Sequence, residues 1–231
     1  MAGVSKYPPS TVFSSFIDAA DPIYGTGSDG DVTISSGTSL SSDMFYNNLT
    51  IADNITLNTN GYRLFVKNIL QLGNASVIGF STGSTAAGSI KGGGATNAAV
   101  THSLGGSSAA QTATAPTSAL GGSKYYTIPS QAVKGYAVTA SSTTPTFLTG
   151  GAGWASGAGG GVVIVCARYI TCTATTTNGK FSAPGTSGAG GGGGGVILIV
   201  SSAAALPSNV STDVTGGTGA SAGTANYMQL V

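Results

Sequence analysis

The chain is expected to be all-β, a stack of short strands with glycine-rich corners in the manner of a β-helix or β-solenoid. Three observations point there. Charged residues are 6% of the 231 and glutamate is absent, whereas exposed helix faces are normally built from Glu, Lys, Arg and Gln. Short apolar runs alternate with Asn, Asp and Gly turns, the pattern of closely spaced strands. The third observation is an internal repeat. GYRLFVKNILQL at 61–72 aligns without gaps on GVVIVCARYITC at 161–172, and GGVILIVSSAAAL begins at 194, thirty-four residues after its counterpart at 160. Units too small to bury their own apolar face share a core by stacking. The alternative is a β-sandwich of Greek-key or jelly-roll type.

Four regions follow along the chain. Residues 1–27 form an irregular arm with Pro8, Pro9 and Pro22 and one apolar set, Val12, Phe13, Phe16 and Ile17. Such a segment cannot build its own core, so it is expected to anchor the chain on another protein's surface. Residues 28–80 carry the strands DVTIS, NNLTIA, NITLNTNG, YRLFV, NILQLGN and ASVIGF. Residues 81–150 are an insertion rich in Ser, Thr, Ala and Gly. Residues 151–231 return to strands and glycine.

The stretch SGAGGGGGGVILIV at 187–200 joins six glycines to five branched apolar residues. Glycine loses the most entropy on ordering, while Val and Ile favour pleated, buried strands. A tract recurring at one phase before one kind of strand reads as packed backbone, either a corner or an extended thread bonded to neighbouring threads. The VVIV and VILIV strands are then expected to form the dry interior.

Charge excludes some functions. The net charge is +1 and the eight basic residues are scattered, so no field draws nucleic acid or an anionic membrane. No run approaches the roughly 18 apolar residues of a spanning helix, and the N-terminus lacks the apolar core of a secretory signal. Low charge also leaves sheet edges sticky unless partners cover them, so a homo-oligomer, foremost a trimer, is expected. Cys166 and Cys172 are expected as buried free thiols on one face of an extended strand.

GSDGDVTISSGTSLSSDMFYNNLTIADNITLNTNGYRLFVKNILQL, within residues 27–72, resembles a segment of tailed-bacteriophage virion structural proteins. In that family a GSDGDVTI opening, a DMYYNNLT strand and an LNTNGYRLFV turn lead into glycine-rich β repeats. Here Phe45 stands at one of those tyrosines. The resemblance covers about residues 27–80 and, more loosely, the repeats to 206. It implies location in the virion and a surface role: a tail fibre, spike or adhesin contributing to host attachment. Alternatives are a capsid-decorating or cement protein with no receptor role and, less favoured, a polysaccharide-degrading tail spike.

Chemical motifs are sparse. GTGSDG at 25–30 fits the dinucleotide pattern GxGxxG, but a strand follows it where that fingerprint requires a helix. Asp29 and Asp31 are candidate Ca²⁺ ligands or a carboxylate pair for glycoside hydrolysis, although turn residues bonding backbone fit them better. His102 is the single histidine and offers neither a zinc set nor a triad. No cofactor and no enzymatic activity are expected. Tyr125, Tyr126, Tyr136 and Trp154, set among small polar residues, are the candidates for stacking on a host-surface glycan.

Overall fold

The computed structural model describes residues 23–80, 158–187 and 191–230. These residues form twelve strands and no helix: β1 (Asp31–Ile34), β2 (Thr38–Ser39), β3 (Met44–Tyr46), β4 (Asn48–Ile51), β5 (Thr56–Asn58), β6 (Arg63–Leu72), β7 (Val77–Gly79), β8 (Val162–Cys172), β9 (Gly179–Ser182), β10 (Val196–Ser201), β11 (Val210–Asp213) and β12 (Thr224–Gln229). One sheet runs β1-β4-β6-β8-β10-β12, with β3 also on β6; the other runs β2-β5-β7-β9-β11. Parallel neighbours require a crossover connection. Here each crossover between strands of the long sheet passes through one strand of the short sheet. Every registered pair among the described residues is parallel, unlike the antiparallel pairs of a Greek-key sandwich or jelly roll.

The core lies between the sheets. Leu57, Ile78 and Phe181 stand in register on the short sheet and are fully buried. They belong to one cluster with Leu64, Val66, Val163, Val165, Ile197 and Ile199 of the long sheet. Burying side chains of this size contributes about 1.5–3 kcal/mol each. The turn into β6 uses Asn60 and Gly61, both at positive φ (51° and 79°), a conformation that Asn and Gly adopt most readily.

Carboxylates tie successive passes of the chain together. Asp29 accepts from the Phe45 amide at 2.6 Å, and Asp31 from Asn47 Nδ2 at 2.6 Å and the Asn48 amide at 3.1 Å. Asp43 accepts from the Arg63 amide at 2.8 Å and pairs with its guanidinium. Asp53 accepts from the Asn74 amide at 2.7 Å. Each acid caps the backbone of the next pass, 16 to 21 residues on. These bonds to Asp29 and Asp31 are therefore to a neighbouring strand and not within a local turn.

The repeat is exact in part of its register. Val196 pairs with Val162, the thirty-four-residue offset of the sequence alignment. Leu70 and Leu72 pair with Ile170 and Cys172, as aligned, but Leu64 and Val66 pair with Val165 and Ala167, one residue further along. The slip falls at an irregularity between Val66 and Ile69. Without it, Leu64 and Val66 would pair with the outward-facing set of β8, because a one-residue shift reverses the faces. The segments YRLFV and NILQL accordingly run as the single strand β6.

Two expectations are corrected by the same geometry. VVIV and VILIV do not lie wholly in the interior: Val163, Val165, Ile197 and Ile199 face the shared core, whereas Val162, Ile164, Cys166, Val196, Leu198 and Val200 form a second cluster on the opposite face. A parallel sheet buried on both faces reads as a continuous apolar run for this reason. Cys166 and Cys172 are free but occupy different faces. Cys166 is buried in the outer cluster, and Cys172 is partly exposed and packs on the inner one.

Candidate functional site: the glycine-threaded edge

Three connections run from the short sheet back to the long one in the second half: β7 to β8, β9 to β10 and β11 to β12. Because neighbouring strands are parallel and in register, all three leave the ends of the short-sheet strands on one side. Two of them are built largely from glycine and small residues. The third is the passage from Phe80 to Ala158 that contains residues 81–157.

The thread 191–195 is hydrogen-bonded to three other stretches, at Gly160, at 183–186 and at 217–224. The Gly192 amide donates to the Thr186 carbonyl (3.0 Å), the Gly194 amide to Ser221 (3.0 Å) and the Gly195 amide to Ala183 (2.7 Å). Its carbonyls accept from Gly217 at Gly192 (2.8 Å), Gly160 at Gly193 (2.9 Å) and Thr224 at Gly195 (3.0 Å). A β-strand has two flanking partners; this thread bonds to three stretches, and six of its buried backbone groups are paired in this way. Close approach demands glycine. A Cβ at Gly192 would stand 2.0 Å from the Ala158 carbonyl oxygen, and one at Gly194 would stand 1.8 Å from that of Val214. The tract is a packed wall.

The described residues that flank 81–157 lie beside this wall. The Phe80 amide donates to the Ser182 carbonyl at 2.9 Å, and the Gly161 amide donates to the Phe80 carbonyl at 3.3 Å. A Cβ at Gly161 would fall 1.5 Å from the Phe80 ring. The described chain on either side of residues 81–157 therefore meets at Phe80 and Gly161, while Ala158 is bonded to Thr186.

The sequence-derived candidates are distributed unevenly. Tyr125, Tyr126, Tyr136 and Trp154, like Val12, Phe13, Phe16, Ile17 and His102, lie outside the described residues. Asp29 and Asp31 lie at the start of the first pass. Hydrogen bonds from Asn47 and Asn48 hold the Asp31 carboxyl below its ordinary range. Among the described residues no three His, Cys, Asp or Glu gather as a metal would require. Asp213 sits near the glycine wall. Burial opposes its ionisation, but bonds from Thr215 and the nearby Lys180 (3.5 Å) leave its pKa lowered overall.

One aromatic pair is barely legible from the residues alone. Phe45 and Phe65 stack on the outer face of the long sheet, with ring centroids 4.9 Å apart, and the Arg63 guanidinium lies 5.8 Å from the Phe65 ring centre. Alternation within MFY and RLFV was the available signal, since it puts both phenylalanines on the face opposite Tyr46, Leu64 and Val66.

No family model, curated protein or solved structure matches the chain.

Proposed function

We propose that the protein is a structural component of a tailed-bacteriophage virion surface, of the fibre or adhesin kind, and not an enzyme. In this reading the two parallel sheets are walls of one β-solenoid. The register shift between Val66 and Ile69 divides the β6–β8 pairing into two stretches, and each pass of the chain adds a rung. The single observation that carries the reading is the glycine wall beside the junction of Phe80 and Gly161, which flank residues 81–157. A rigid, nearly uncharged scaffold presenting one long inserted segment is the arrangement of a binding loop on a framework. That segment holds Tyr125, Tyr126, Tyr136 and Trp154, whose aromatic faces suit stacking on sugar rings. The described carboxylates support the same reading. Asp29, Asp31, Asp43 and Asp53 are each engaged in bonds between passes, which suits a scaffold better than a depolymerase.

The partners are further copies of the chain, a trimer foremost, other virion proteins and a host-surface glycan. Gold-labelled antibody against the chain, applied to purified virions, tests the assignment. Label on fibres or the tail tip is expected. Label spread over the capsid would favour the decorating role, and particles without label would overturn both.

A further inference from the structure

Strand alternation builds a groove on the outward face of the short sheet. Leu57, Ile78 and Phe181 belong to the shared core, so Thr56, Asn58, Val77, Gly79 and Ser182 face away from it. In register they form two rows across the strands. One is Thr56–Val77, continuing to Lys180; the other is Asn58–Gly79–Ser182, continuing to Asp213. Gly79 has no side chain, so the second row dips between Asn58 and Ser182. Those two stand on strands about 9.6 Å apart, and the five residues line a depression of about 250 Å³.

The groove holds polar groups that the fold does not use. Ser182 is 7% exposed, and its hydroxyl has no hydrogen-bond partner among the described residues. Buried hydroxyls are ordinarily paired, so one left open onto a groove marks a place for a ligand group. The Thr56 hydroxyl likewise has no partner among the described residues. Asn58 engages only its Oδ1, which accepts from the Asn60 amide at 2.9 Å. Charge at the rim is balanced: Lys180 Nζ stands 3.5 Å from Asp213, which also accepts from the Thr215 hydroxyl at 2.9 Å. Val77 adds an apolar surface. The matching ligand is therefore neutral, with hydroxyls around its edge and C–H groups on one face. Pockets for drug-sized ligands begin at about 300 Å³, so this groove suits a single ring.

We infer that this groove binds one neutral sugar residue, with Thr56, Asn58 and Ser182 bonding its hydroxyls and Val77 against its C–H face. The site is separate from Tyr125, Tyr126, Tyr136 and Trp154, and it rests on the glycan-recognition reading only for the origin of the sugar.

Saturation-transfer NMR on the full chain, with the methyl glycosides of glucose, galactose, mannose and N-acetylglucosamine, tests the inference. At least one glycoside should receive saturation. Its Kd should rise about tenfold in the double variant Thr56→Val, Ser182→Ala, because two neutral hydrogen bonds are lost. Neither hydroxyl supports the fold, so that variant should melt within about 2 °C of the parent. If it does not fold, the parent decides: the bound glycoside should shift the Gly79 and Ser182 amide resonances and leave that of Met228, on the long sheet, in place. No saturation of any of the four, equal binding by the folded double variant, or shifts confined to other residues would overturn the inference. Host-cell binding is read separately. A chain whose groove binds the glycoside but which leaves cells unlabelled would sustain the groove and count against the glycan-recognition reading alone.

Discussion

At Gly194 an added methyl would lie 1.8 Å from the Val214 carbonyl oxygen, while at Gly37 the nearest atom would be 3.9 Å away. Gly194→Ala must displace backbone and is expected to destabilise the fold by at least about 2 kcal/mol. Gly37→Ala should change it by no more than about 0.5 kcal/mol. Urea titration of the two variants measures the contrast. Asp31 supplies a pH signature. Its folded pKa is depressed, so its contribution is complete above the ordinary carboxylate value of about 3.9 and disappears as pH falls through the lower folded value. Asp31→Asn should therefore lower the melting temperature at neutral pH and flatten its fall below about pH 4. An unchanged acid limb would contradict this. The glycine packing was legible in sequence because the tract recurs before the same kind of strand. The bonds of Asp29, Asp31, Asp43 and Asp53 were not, since each partner lies 16 to 21 residues ahead and no local pattern identifies it.

Among the strands, DVTIS, NNLTIA, NITLNTNG and ASVIGF were readable from branched apolar residues between Asn and Gly turns, and each contains an observed strand. The fusion of YRLFV and NILQL into β6 was not, because Lys67 and Asn68 look like a break. The structure uses them as the irregularity opposite Arg168, where Asn68 Nδ2 donates to Asn47 Oδ1 of the preceding pass at 2.8 Å. The same irregularity explains how two cysteines six residues apart come to opposite faces. The inward rows carry the stability of these elements. Phe181→Ala removes a fully buried ring and should cost about 3–5 kcal/mol. Tyr169→Ala, 51% exposed on β8, should stay within about 0.5 kcal/mol. Chemical denaturation of both variants compares them, and equal losses would place Phe181 outside the core.

Across the molecule, composition alone indicated an all-β chain, and the alternation of parallel strands between two sheets agrees with it. The second apolar face was hidden in the sequence, because a run such as VVIV has the same appearance whether one or both of its faces are covered. The candidate glycan residues Tyr125, Tyr126, Tyr136 and Trp154 were singled out only as aromatics without a repeat partner. The fold adds the place from which their segment departs: Phe80 and Gly161 adjoin, so residues 81–157 can be exchanged for a short Gly-Ser linker without separating β7 from β8. The central claim is that a glycine-walled scaffold holds this segment for surface recognition. Its most direct test is the binding of the linker variant and the full chain to host cells, read by flow cytometry, with melting temperature checked on both. The full chain should bind and the linker variant should melt cooperatively but leave the cells unlabelled. Equal binding by the folded linker variant would contradict the claim.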